Sequence, residues 1–233
     1  MPRANRYYLP GAVWHITHRC HDRQFLLKFE RDRLRWKHWL FQARRRYGLS
    51  VLNYIATSNH VHLLARDLGH GEIPRSMQLI AGRMGQEYNQ RKSRKGAFWE
   101  GRYFATAVAS DQHLIRCLVY IDLNMVRAGV VDHPGQWNVC GFGEIQSSPQ
   151  RYRIVDQQAL SDLTQTPGTQ ALRTAHRNWV DTCLSRGKPE REPAWTESVA
   201  VGPREYLERV KSLLGPRAHH RSIEKDTDSG ILI

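Results

Sequence analysis

The chain has 233 residues, 40% of them hydrophobic, with a formal net charge of +13 and a pI near 10.0. It has no run of about 18 apolar residues to span a bilayer, and "MPRANRYYLPG" at its start lacks an apolar signal core. The four cysteines (Cys20, Cys117, Cys140, Cys183) are scattered without a CxxC pair, which suggests neither a zinc knuckle nor a disulfide framework and fits a reducing cytoplasm. The excess charge, mostly arginine, points to a polyanionic partner, nucleic acid first.

The first predicted element is a strand over "AVWHITHRC" (Ala12–Cys20). His15, His18 and His21 lie around it and read as surface or DNA-facing residues rather than ligands. "FERDRLRWKHWLFQARRRYG" (Phe29–Gly48) reads as an amphipathic helix stopped by glycine. "LSVLNYIAT" and "HVHLLAR", joined by a short polar turn, read as a β-hairpin. Period-two alternation then puts His60, His62 and Leu64 on one face, with Val61, Leu63 and Ala65 on the other.

A second helix is predicted over Ile73–Lys92. "RKSRKGAFWEGRYFATAVAS" (Arg91–Ser110) opens as a basic loop and becomes a strand, and a third helix covers Ser110–Gly129. The order β-α-β-β-α-β-α predicts an α+β fold: a ferredoxin-like antiparallel sheet with helices packed on it. After about residue 150 the chain turns polar and turn-rich. Residues 1–148 are read as one domain and 149–233 as a mostly helical C-terminal extension, with a loose tail from about 216.

The third helix has two stripes. Leu114, Leu118, Ile121 and Met125 form the core stripe, while Arg116, Tyr120, Asn124 and Arg127 run down another. Tyr120 and Asn124 are thus one turn apart. A tyrosine oxygen can attack a phosphodiester to give a covalent phosphotyrosine. A free phenol is a weak nucleophile at neutral pH, and a divalent cation on the scissile phosphate offsets that. Two neutral imidazoles and an amide oxygen can hold Mg²⁺ or Mn²⁺ with coordination sites left open. His60, His62 and Asn124 are the candidate ligands and Tyr120 the candidate nucleophile. Tyr88, Tyr103 and, as a proton acceptor, Glu100 are weaker candidates.

"SNHVHLLAR" (Ser58–Arg66), "GAFWEGRYFA" (Gly96–Ala105) and "YIDLNMVRAGVV" (Tyr120–Val131) together resemble the signature stretches of the REP-associated tyrosine transposases. These are single-tyrosine transposases of the HUH endonuclease superfamily, named for His-hydrophobic-His, here His60-Val61-His62. The resemblance covers roughly residues 5–145. It implies a ferredoxin-like core and cleavage of single-stranded DNA beside a hairpin. It also implies a tyrosine joined to the 5′ phosphate, with no nucleotide cofactor. Met125 stands where the family usually has proline, and methionine should let the helix run on slightly further.

Arg91, Lys92, Arg94, Lys95 and Arg102, interleaved with Phe98 and Trp99, are expected to contact DNA by charge and stacking. Arg3, Arg6, Arg116 and Arg127 complete the expected DNA contacts. The partner is expected to be single-stranded DNA with hairpin structure, bound by a monomer or homodimer away from any membrane. Two other functions fit parts of the pattern: a domesticated DNA-binding protein without cleavage activity, and a metal-dependent phosphodiesterase that activates water.

Overall fold

The computed structural model describes residues 9, 11–110, 112–147, 149–226 and 229–233. The first half follows the predicted order. β1 (Val13–Arg19) leads to α1 (Glu30–Tyr47), then to the hairpin of β2 (Ser50–Ala56) and β3 (His60–Arg66). α2 (Glu72–Arg91), β4 (Phe104–Val108) and α3 (Gln112–Asp122) complete it. α1 begins with Glu30 and Asp32 and ends with Arg44, Arg45 and Arg46, charges that complement its dipole. It stops at Gly48, which takes the left-handed conformation (φ 71°) that a Cβ would disfavour.

β2, β3, β1 and β4 lie side by side in that order, all neighbours antiparallel, as in a ferredoxin-like sheet. β1 and β3 pair in a single register that sets Thr17 opposite His62 and His18 opposite Val61. One face therefore carries His15, Thr17, His62 and Thr106, since Thr106 of β4 sits opposite His15. The other face carries Ile16, Val61 and Leu63, all buried. There α1 packs against α2. His18, beside Ile16 on that face, stacks on Trp99, whose indole donates to the Ala81 carbonyl of α2.

The predicted third helix is broken. α3 ends at Asp122, Leu123 has ψ 7° instead of a helical value, and the short α4 (Asn124–Arg127) resumes beyond it. The break falls two residues before Met125, which itself lies within the helical α4. The Tyr120 carbonyl at this break accepts instead from the Arg127 guanidinium at 3.2 Å.

The C-terminal part contains α5 (Gly141–Gln146), α6 (Gln157–Leu163), α7 (Thr169–Ser185), α8 (Ala194–Glu197) and α9 (Arg204–Leu214). It also extends the sheet. β5 (Ala200–Gly202) pairs in parallel with β4, β7 (Ser229–Leu232) pairs antiparallel with β5, and β6 (Ile223–Asp226) closes that edge. Among the described residues a single seven-stranded sheet thus crosses the boundary drawn near residue 148. The stretch expected as a loose tail from 216 is instead largely a hairpin. Its Leu232 is fully buried, and Gly230 lets the backbone close on Leu207, whose Cδ1 would lie 2.7 Å from an added Cβ.

This predicts the cost of one truncation. Leu232→Ala should destabilise the protein by about 2–5 kcal/mol, as for other buried leucines. A tail residue would change it by less than about 0.5 kcal/mol. Denaturant unfolding of the two proteins separates these cases.

Candidate active site

β3 presents its first and third residues, His60 and His62, to the sheet face that carries His15. Their nitrogens are sorted by hydrogen bonding. His60 Nδ1 lies 2.7 Å from the Asn59 carboxamide oxygen and 3.0 Å from the Thr57 hydroxyl, which itself donates to the His60 carbonyl. Both partners accept, so His60 Nδ1 carries the proton and Nε2 keeps its lone pair. His62 Nε2 lies 3.0 Å from Asn124 Nδ2, which donates to it, and the two histidine rings are 4.9 Å apart. A half-turn of the Asn124 carboxamide presents its oxygen on the same side instead.

Both imidazoles are held neutral. Burial, helped by the charges of Arg19 and Arg127, lowers His60 to about 4. Burial lowers His62 well below its ordinary value, and the neighbouring His60, His15 and Arg127 add to this. The donor set is therefore two neutral imidazoles and one carboxamide. It fits a divalent cation that keeps positions for water or phosphate oxygens. Among the described residues no group of three or more His, Cys, Asp or Glu side chains is placed to hold a metal, so a cation here would need Asn124 as a third donor.

Tyr120 lies on the last turn of α3. Its ring centroid is 6.1 Å from that of His62 and 6.2 Å from that of Trp195, with the Arg127 guanidinium 4.0 Å above it. Burial raises the phenol above its ordinary value, while Arg127 and Arg191 pull it back. Among its protein surroundings, then, positive charge is the factor that favours a tyrosine oxyanion.

These groups open into one cleft of about 770 Å³. It is lined by His60, His62, Tyr120 and Asn124 and by five arginines: Arg19, Arg23, Arg102, Arg127 and Arg191. Glu100 and Glu197 are the carboxylates of this wall, and Glu197 pairs with Arg191. The excess positive charge suits a phosphodiester backbone.

The predicted DNA contacts are scattered by the structure. Arg102 and Arg127 line the cleft. Arg116 bonds Glu192 at 3.0 Å beside it. Arg91 pairs with Asp32, and Arg94 donates to Asn89 at 3.1 Å. Lys92 and Lys95 are exposed. Arg3 and Arg6 lie outside the described residues. Phe98 and Trp99 differ from the expectation of exposed stacking platforms. They are 3% and 8% exposed, one packed against Tyr88 and the other on His18, so their faces are already covered. Neither Tyr88 nor Tyr103 lines the cleft, whereas Glu100 does.

His15 was expected to be surface or DNA-facing. It is fully buried, not on the surface, with Nε2 2.8 Å from His62 Nδ1 and Nδ1 2.8 Å from the Trp195 carbonyl. His18 is likewise buried. Arg19, Arg23 and Arg191 also escaped the sequence reading. Arg19 ends β1 directly opposite His60, and Arg23 follows four residues later.

The fold and this arrangement define a class: ferredoxin-like α+β proteins that set two sheet histidines against a tyrosine and an asparagine at a helix end. Residues 10–124 carry a domain that matches the family described as "Transposase IS200 like". No curated protein matches the chain. A solved REP-associated tyrosine transposase bound to a REP hairpin is similar over 64% of this chain and 87% of that one. Its identity is 18% and its TM-score 0.54, which supports the shared fold. A protein from Deinococcus radiodurans R1 assigned as a transposase covers 46% of this chain and 86% of its own, at 17% identity. Its TM-score of 0.36 is too slight to argue from.

The neutral histidines make stability depend on pH. His15 and His60 are each lowered to about 4, against about 6.5 when unfolded. Between those values the unfolded chain binds the extra protons, so stability falls as pH drops below 6.5 towards 4. Moving from pH 7 to pH 5 should cost about 2 kcal/mol per histidine, or several degrees of Tm. Thermal unfolding at the two pH values checks this, and a Tm that holds steady or rises at pH 5 would contradict it.

Proposed function

We propose that the protein cuts and rejoins single-stranded DNA beside a hairpin, with Tyr120 as the nucleophile. The observation that carries this reading is one positively charged cleft holding Tyr120, Asn124 and both histidines. The family supplies the broader class, and the similar structure bound to a REP hairpin makes a folded palindrome the first substrate to try.

In this reading the arginines of the cleft bind the DNA backbone and hold a phosphodiester against the phenol. The Tyr120 oxygen forms a bond to phosphorus while the bond to the 3′ oxygen breaks. The DNA 5′ phosphate ends on tyrosine, the 3′ oxygen takes a proton, and the phenolic proton leaves to solvent. Attack by a 3′ hydroxyl on the phosphotyrosine reverses the step, so no nucleotide cofactor is consumed. His60, His62 and Asn124 would hold Mg²⁺ or Mn²⁺, which polarises the phosphate and stabilises charge in the transition state. Arg127, above the Tyr120 ring, favours the oxyanion and keeps the ring in place. The protein acts as a monomer or homodimer.

Covalent capture tests this. Labelled hairpin oligonucleotides are mixed with the protein, with Mn²⁺ or EDTA, and then denatured. We expect a labelled adduct that EDTA abolishes and that Tyr120→Phe lacks. His62→Ala should reduce the adduct at least tenfold. Tight hairpin binding without adduct or cleavage would instead establish a non-cutting binder, and cleavage without adduct would establish attack by water.

A further inference from the structure

We infer that His15, anchored on the main-chain carbonyl of Trp195, is a positioning residue that fixes His62 in its Nδ1–H tautomer. This aims a bare Nε2 into the cleft. The consequence for metal binding rests on the proposed function above; the tautomer itself does not.

The argument is one of counting protons along a chain. The Trp195 carbonyl can only accept, so at 2.8 Å His15 Nδ1 must be the donor. A neutral imidazole has one N–H, which leaves His15 Nε2 as an acceptor. His62 Nδ1, 2.8 Å away, must then donate to it. That leaves the lone pair of His62 on Nε2, where Asn124 Nδ2 donates at 3.0 Å. A cationic His15 would reverse the last two links. It is fully buried, however, and neither of its bonded partners carries negative charge, so the cation has nothing to compensate it.

The carbonyl that starts the chain is itself held in place. The Thr106 hydroxyl of β4 lies 3.1 Å from it and 2.7 Å from the Ser198 carbonyl. Ala107 N donates to the Val199 carbonyl at 2.9 Å, locking the same segment to β4. The Trp195 indole is 1% exposed and donates to Glu192, which also receives Arg116 of α3. Residues 194–199 of the C-terminal extension are therefore part of the active site. Trp195 acts through His15, whereas Thr196 and Glu197 line the cleft itself.

The test is read on the full-length, metal-free protein without DNA. Selective ¹⁵N-histidine labelling and long-range ¹H–¹⁵N correlation report which ring nitrogen carries the proton, and His62→Gln identifies the His62 signals. We expect Nδ1–H on both His15 and His62 in the wild type. A proton on His62 Nε2 overturns the proposal, whatever the variants do.

Two variants then test the consequence by Mn²⁺ titration, read by electron paramagnetic resonance of the free ion. His15→Phe keeps a ring but removes the acceptor, and should weaken Mn²⁺ binding about 10- to 100-fold. His15→Gln returns an acceptor oxygen and should recover most of that loss. A folded His15→Phe with unchanged affinity and unchanged His62 tautomer would overturn the proposal. If His15→Phe does not fold, the wild-type spectrum and the glutamine variant still decide. A wild-type protein that takes up no Mn²⁺ would sink the ligand reading alone, because the spectrum judges the tautomer separately.

Discussion

The pairing of β1 with β3 is the constraint on which the site depends, because it places Thr17 opposite His62 and brings His15 onto the same face. A slip of either strand by one residue would send that strand's polar set to the opposite face. The polar contacts are too weak to forbid such a slip, since each net hydrogen bond contributes about 1 kcal/mol. The other face forbids it. Ile16, Val61 and Leu63 are all buried there, and each buried side chain of this kind contributes about 1.5–3 kcal/mol. The apolar core therefore sets the register, and the register sets the imidazole geometry. The placement of this polar site is a by-product of hydrophobic packing on the far side of the sheet.

Electrostatics then make one charge distribution serve two ends. Arginines that attract a phosphate backbone also disfavour protonation of the histidines between them. Arg19 and Arg127 lower His60 in this way, and Arg127 acts on His62 and His15 as well. These charges act in the same direction as burial, which is the larger cause. Arg127 has a third effect through the main chain. Its guanidinium takes the Tyr120 carbonyl at the helix break, so the turn that carries the tyrosine is bonded even where the α-helical ladder stops.

What could be read from the sequence follows from the range of the interactions involved. His60 and His62 share a face because of strand alternation, a rule two residues long. Tyr120 and Asn124 were paired by helical spacing, a rule four residues long. Both rules are local, and the residues they picked do meet in one cleft, although the helix between Tyr120 and Asn124 breaks at Leu123. His15 obeyed no local rule, since its partner lies on another strand whose register had to be known first. Phe98 and Trp99 sit among cations in sequence, yet their partners Tyr88 and His18 are brought to them by the tertiary fold. The final hairpin was illegible for a related reason. Two four-residue strands rich in charge and turn residues have little propensity of their own, and it is the exposed edge of β5 that makes a strand of Ser229–Leu232.

The C-terminal extension is easiest to understand through α3, the helix that carries Tyr120. It grips that helix at two points. Near the start, Arg116 bonds Glu192, which also receives the Trp195 indole. At the end, Asp122 is fixed on both oxygens, by Asn53 of β2 at 2.9 Å and by His176 of α7 at 2.7 Å. Gln146 of α5 lies 2.9 Å from the other nitrogen of His176, whose ring is fully buried. Deleting one member of such a buried chain leaves its neighbours unpaired, at about 1–3 kcal/mol for each orphaned group. Asp122 sits immediately before the break at Leu123, so this network fixes where the helix ends and from what point Asn124 departs. The extension thus holds the tyrosine's helix at both ends and, through Trp195 and His15, the imidazole that faces it. Residues beyond the ferredoxin-like core thus share with β1, β2 and β3 in setting where Tyr120 stands relative to His62.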